Sequence, residues 1–231
     1  MKIIAVVPAY NENNTITLVI RNLRERVDEV VVVDDGSYDN TYELAKKEGA
    51  VALQHFLNRG QGAALKTGID CALAHRADII VTFDADGQHD VCDIDSLVRP
   101  IADGSADVVL GSRFIKLHNN QQSTTNNKIP ILRFLTLQLA LLFTKLTTGL
   151  KVTDTHNGLR ALSRKAAQKI NIQHDSMAHA SEILEEIAKY NLSYTEVPIT
   201  VHYTEYSKRK GQSSWNAFRI LWDLMVGKIS R

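Results

Sequence analysis

Val81-Thr82-Phe83-Asp84-Ala85-Asp86-Gly87-Gln88-His89 joins an apolar strand, Ile79 to Phe83, to two carboxylates two residues apart, then to a glycine and an amide. Side chains two apart in an extended segment point the same way, so Asp84 and Asp86 can bring their oxygens to one point. Two converging carboxylates repel unless a cation lies between them. A hard divalent ion takes a few carboxylate or carbonyl oxygens and keeps its other positions for water and the oxygens of a diphosphate. Gln88 can add a neutral carbonyl oxygen, making Asp84, Asp86 and Gln88 the expected metal ligands. Alone, the pair also reads as an acidic turn after a strand, in which aspartate hydrogen-bonds its own backbone, so its surroundings decide.

Upstream, Ile3 to Val7 is a β-branched run expected to stop at Pro8, followed by the loop Pro8-Ala9-Tyr10-Asn11-Glu12. Thr15 to Arg26 carries Ile16, Val19, Ile20 and Leu23 at helical spacing, and Val30 to Val33 is a strand that runs into Asp34-Asp35-Gly36-Ser37. Asn40 to Glu48 reads as a helix ended by Gly49, Val51 to Phe56 as a strand, and Ala63 to His75 as a helix with Leu65, Ile69, Ala72 and Leu73 on one face. This alternation predicts an α/β fold, a mostly parallel sheet with helices on both faces and ligands at the carboxyl ends of the strands. Three such ends, 8–12, 34–37 and 84–88, carry the unusual polar residues.

Downstream, 93–102 reads as a helix and Asp107 to Leu110 as a strand finishing in Gly111-Ser112-Arg113. Lys116 to Lys128 is polar and aperiodic and reads as a loop, either an insertion or a cover for the site. Pro130 to Leu146 is the most apolar stretch, but Arg133 and Lys145 bracket too short a run for the ~20 residues a bilayer requires. It reads as a buried helix or one lying on a membrane surface, and Trp215 to Ile229 is a second amphipathic segment.

The 231 residues suit one domain with a substantial core. Lys and Arg number 27 against 26 Asp and Glu, so the formal charge of +1 gives no field of the kind that marks nucleic-acid binders. Cys71 and Cys92 form neither a disulfide framework nor a zinc pattern. The start of the chain shows no charged region, apolar segment and cleavage site, which predicts a cytoplasmic protein. G-x-x-x-x-G-K-[ST], G-x-G-x-x-G and G-x-S-x-G are all absent, which weakens ATPase, dinucleotide and serine-hydrolase readings. Paired carboxylates with a metal, polar strand ends, Arg113, Arg133 and the Lys208-Arg209-Lys210 cluster together suit a nucleotide diphosphate.

Pro8-Ala9-Tyr10-Asn11-Glu12, Val33-Asp34-Asp35-Gly36-Ser37, Asn58-Arg59-Gly60-x-Gly62, Asp84-Ala85-Asp86-Gly87-Gln88-His89, Gly111-Ser112-Arg113 and Asp154-x-x-x-Gly158-x-Arg160 resemble, in order, the motifs of family 2, GT-A fold glycosyltransferases. Within that family the nearest resemblance is to dolichyl- or polyprenyl-phosphate sugar synthases. The resemblance runs from Ile3 to about Ser214, and the expected organisation is one domain over 1–231, with a nucleotide-sugar half (1–113), an acceptor half (114–214) and a C-terminal amphipathic helix (215–231). It also implies inverting transfer from a GDP- or UDP-linked sugar, with Mg or Mn. Position by position, it implies that Pro8, Tyr10, Glu12, Val33 and Asp35 hold the nucleoside, with Asp35 facing the base, and that Asp84, Asp86 and Gln88 hold the metal. Arg113 and Arg133 match residues that approach the phosphates. Lys208 and Lys210 lie in the late basic loop, where this chain reads Gly211-Gln212-Ser213-Ser214 in place of a final lysine.

A polyprenyl-phosphate acceptor arrives ionised and needs orientation. A saccharide hydroxyl, the alternative acceptor, needs a carboxylate base. Asp154 and Glu182 are the two candidates, and each also reads as a loop anchor or helix charge. The expected location is the cytoplasmic face of the membrane, reached by peripheral attachment or through a separate membrane partner. A non-catalytic nucleotide-sugar binder is the alternative from another class.

Overall fold

Strand β1 (Ile3–Ala9), helix α1 (Ile16–Leu23), β2 (Glu29–Asp34), α2 (Thr41–Lys47), β3 (Val51–Gln54), α3 (Gln61–Ala74) and β4 (Ile79–Thr82) alternate as the periodicity predicts. A 3-10 turn (Val91–Asp93) and α4 (Ile94–Ala102) lead to β5 (Val108–Ser112). Then come β6 (Arg160–Ser163), α5 (Arg164–Lys169), α6 (His179–Lys189) and β7 (Tyr194–Pro198). The computed structural model describes residues 1–115, 144–145, 147–155, 157–175 and 178–202. The expected loop at 116–128, the apolar stretch at 130–146 apart from 144–145, and the amphipathic segment 215–229 lie outside the described residues.

The seven strands form one sheet in the order β3-β2-β1-β4-β6-β5-β7. The first four in that order are parallel, and β5 pairs parallel with β7. β6 runs antiparallel to both its neighbours, with Val81 opposite Ala161 on one side and Val109 opposite Ala161 on the other. β1 shows how the sheet divides the core. Ala5 and Val7 pack with the buried stripes of α1 and α4 on one face, while Ile4 and Val6 pack with α3, α5 and α6 on the other. Alternate side chains of a strand buried on both faces are apolar throughout, which is why this strand reads as a continuous hydrophobic run.

Pro8 does not end β1, as the sequence reading expected. The strand continues to Ala9, with Pro8 opposite Val33. The rungs to β4 stop at Val6↔Thr82, followed by the Phe83 N–H donating to the Val6 carbonyl. By alternation the missing donor of Pro8 points past the end of β4, where no ladder partner is needed.

Helix α3 lies close to the sheet because Gly68 permits it. A Cβ on Gly68 would collide with Val6 Cγ1 and stand 3.2 Å from Val33 Cγ2. Gly68→Ala is therefore expected to lower stability by about 1–3 kcal/mol through overpacking, despite alanine's better helix propensity. A urea melt that matches wild type would contradict this packing.

Candidate active site

The carboxyl ends of β1, β2 and β4 bring most of the expected residues to one edge of the sheet. Pro8 and Asp84 line a small cavity with Gln61, Leu65, Thr82, Phe83, Gly158, Arg160 and His179. Gln61, Arg160 and His179 were given no role in the sequence reading. Arg160 stood inside one of the motifs, but the neighbours that define these roles are remote in sequence.

Asp84 follows β4 and is held from two sides. Its Oδ1 accepts from Gln61 Nε2 at 3.1 Å, and its Oδ2 accepts from His89 Nε2 at 3.1 Å. A Cβ on Gly158 would overlap this carboxylate, 2.6 Å from Oδ1, so glycine is the residue that lets the β6-side chain pass there. Burial raises the Asp84 pKa, but the His89 hydrogen bond and the charges of His89, His179 and Arg160 outweigh it and hold the carboxyl below its usual value. Arg160 is itself buried, and burial pulls its pKa down to about 10 against the opposing effect of Asp84 and Asp154.

Asp86 lies in a different setting. Its Oδ1 accepts the Gln88 N–H at 3.0 Å in the turn where Gly87 takes φ 72°. Burial, then the charge of Asp84, push its pKa up to about 6, with the Gln88 and His89 interactions opposing and Glu12 adding to the rise. Such a carboxylate is short of positive charge, and Asp86 with the Gln88 amide oxygen, beside the charge of Asp84, suits a hard divalent ion. Among the described residues no group of three or more His, Cys, Asp and Glu side chains is gathered as a metal site. An ion here would complete its coordination with oxygens from elsewhere, as a diphosphate supplies.

Around this centre the other expected residues divide into surface and scaffold. Tyr10 is partly exposed and meets Tyr38 edge to face, with ring centroids 6.5 Å apart. Glu12 is buried. Its carbonyl accepts from the N–H groups of Thr15 and Ile16 at the start of α1, and its own N–H donates to Thr41 Oγ1 at 2.8 Å.

Val33, expected among the residues that hold the nucleoside, has its side chain fully buried in the cluster beneath α3. Asp35 is also buried. Oδ1 takes His55 Nδ1 at 2.7 Å and the Arg59 N–H at 3.0 Å, and Oδ2 takes the Gly60 N–H at 2.7 Å. These bonds let Asp35 pin the loop that launches α3.

Asp154 is buried and gripped by the fork of Arg113, with Nε to Oδ2 at 2.7 Å and Nη2 to Oδ1 at 2.8 Å. Glu196 of β7 fixes this segment by accepting the Thr153 N–H at 2.8 Å and the Asp154 N–H at 3.2 Å. Glu182, near the start of α6, accepts the backbone N–H groups of Gln173 and His174 at 3.0 and 2.9 Å. Both candidate bases thus serve as anchors in this structure. Arg133, Lys208, Lys210 and His156 lie outside the described residues.

Residues 4–170 match the model of a family described as Glycosyl transferase family 2. An uncharacterized protein of Methanocaldococcus jannaschii is 42% identical over 99% of this chain and 93% of its own length. The UDP-N-acetylglucosamine–dolichyl-phosphate N-acetylglucosaminyltransferase of Methanococcus voltae is 36% identical over 98% of this chain and 96% of its own. The fold is similar to that of Mycobacterium tuberculosis glucosyl-3-phosphoglycerate synthase solved with Mn2+, UDP and phosphoglyceric acid. That similarity has a TM-score of 0.66 at 20% identity, covering 95% of this chain and 77% of the other. The mostly parallel seven-stranded sheet is thus of the GT-A type that the motifs implied.

Proposed function

The chain belongs to glycosyl transferase family 2 and is a glycosyltransferase, and from that premise we propose that it moves a sugar from a UDP- or GDP-linked donor to a polyprenyl phosphate, with inversion. The observation that carries the choice of acceptor is the state of Asp154 and Glu182. One sits in an arginine fork and the other accepts two backbone N–H groups. A hydroxyl acceptor would need one of them as a base, whereas a phosphate oxygen attacks without giving up a proton. The similarity to a dolichyl-phosphate transferase from Methanococcus voltae supports the same choice.

In this reading Tyr10 faces the nucleoside, while Pro8 and Glu12 shape its loop. Asp86 and Gln88, with Asp84 behind them, face the diphosphate. A bound Mg or Mn ion would offset the charge gathering on the leaving diphosphate. The acceptor oxygen forms its bond to the anomeric carbon from the opposite face, the bond from that carbon to the diphosphate breaks, and the electron pair leaves with the diphosphate. Arg113, braced by Asp154, stands at the end of β5 to meet a phosphate, and Arg133, Lys208 and Lys210 supply the further positive charge an anionic acceptor needs.

Among the described residues no helix is long and apolar enough to cross a membrane. In this reading contact with a lipid acceptor at the cytoplasmic face is made by segments 130–146 and 215–229 or through a separate small membrane protein.

The test pairs donor screening with acceptor assays. UDP or GDP is expected to bind in Mn2+ and weakly in EDTA, and the matching nucleotide sugar to glycosylate a short-chain polyprenyl phosphate. Glu182→Gln is expected to keep turnover within about tenfold of wild type, where loss of a general base costs roughly 10²–10⁴-fold. A larger loss with a saccharide acceptor would place the protein in glycan extension instead.

A further inference from the structure

His89 is a buried histidine whose polar contact is with the acidic motif itself. Its side chain is 6% exposed, its Nε2 meets Asp84 Oδ2 at 3.1 Å, and its ring stands edge-on to Phe83 with centroids 5.6 Å apart. Its backbone is bridged to Val201. An ionised carboxylate only accepts, so Nε2 carries the hydrogen. Nδ1 is buried with no hydrogen-bond partner. An apolar side chain would fill the same space without leaving a ring nitrogen unsatisfied, so packing alone does not account for histidine here.

The other Asp84 oxygen is held in the same way by Gln61, the first residue of α3, with the Gly158 backbone closing the third side. From these contacts we infer that His89, assisted by Gln61, is a positioning residue. It keeps Asp84 turned into the fold, so that Asp86 and the Gln88 amide are left facing the metal-bound diphosphate. The two carboxylates thereby divide their work: Asp84 is the brace and Asp86 the group presented outward. This inference rests on the transferase reading above. Without His89, Asp84 has lost one of its two side-chain donors and is free to swing toward Asp86, where the two charges compete for one cation.

The test is calorimetric titration of wild type, His89→Ala and His89→Gln with UDP and with GDP, each in Mn2+ and in EDTA, beside a thermal melt. His89→Ala is expected to weaken Mn2+-dependent nucleotide binding by about tenfold or more and to leave binding in EDTA unchanged. His89→Gln, whose amide N–H reaches the position of the imidazole Nε2, is expected to recover to within about threefold of wild type. Where His89→Ala does not fold, Gln61→Met removes the other donor from a helix start and carries the same expectation.

Equal loss in Mn2+ and EDTA, or no recovery with glutamine, would overturn the positioning role and leave the transferase reading standing. Absence of Mn2+-dependent binding of either nucleotide to wild type would overturn both.

Discussion

Replacing Asp86 by asparagine is expected to slow sugar transfer by about 10²–10³-fold, the cost of removing one charged contact that acts on a leaving group. The same change is expected to make the metal-free protein more stable at pH 7.5. Asp86 holds its proton up to a pKa of about 6, against 3.8 for an ordinary aspartate, because it is buried and lies beside the charge of Asp84. Between those values the folded state binds more protons than the unfolded one. Stability therefore falls as pH rises through that window, and at neutral pH the ionised Asp86 destabilises the fold. Asparagine removes that charge. Mn2+ with nucleotide should offset it in wild type and stabilise the variant less. Melting curves at pH 5 and 7.5, with and without Mn2+, check the sign. A variant no more stable than wild type at pH 7.5, or one that transfers sugar at the wild-type rate, would contradict the assignment of Asp86.

Arg113→Ala is the second large effect, and it concerns stability as well as phosphate binding. The Asp154 side chain is 0% exposed and that of Arg113 is 20% exposed, so deletion of the guanidinium takes a forked pair of charged contacts from a buried carboxylate, with the charge of Arg160 still nearby. Removing one partner of a buried pair costs about 3–5 kcal/mol, and the remaining Arg160 charge argues for the lower figure. For a chain of this size that is roughly a 10 °C fall in melting temperature. Adding Asp154→Asn to Arg113→Ala should recover part of the loss, because the stranded charge is then gone. If instead the double variant loses what the two single changes predict in sum, the pair is not coupled and the fork is not what secures this segment.

β1, β2 and β4 were legible because each is a run of β-branched residues, the latter two followed by punctuation at Val33-Asp34-Asp35-Gly36 and Phe83-Asp84-Ala85-Asp86. Helix α1 declared itself through Ile16, Val19, Ile20 and Leu23, all buried. β6 did not. Arg160-Ala161-Leu162-Ser163 has two apolar residues, and its partners in β4 lie about eighty positions earlier, so nothing local marks it as a strand.

The site shows the same boundary. The motif named Asp84 and Asp86 together, but in sequence a carboxylate used as a brace looks the same as one offered to a ligand. Asp35, expected to face the base, and Asp154 and Glu182, each read as a base or as an anchor, all accept from donors brought near by other elements: His55 and the Arg59–Gly60 backbone, Arg113, and the Gln173–His174 backbone. Which role a carboxylate takes depends on where those donors fold, and that information is nonlocal.

The reversed strand β6 is locked on both flanks, by Val81 and Val109 facing the same Ala161. Everything between Ser112 and Arg160 therefore leaves from one fixed rung and returns to another beside the acidic turn. The same rungs that seat β6 set how closely Gly158 approaches Asp84 and carry Arg160 to the wall of the cavity, so a slip of this one strand would disturb the acidic turn from a distance of about eighty positions in sequence.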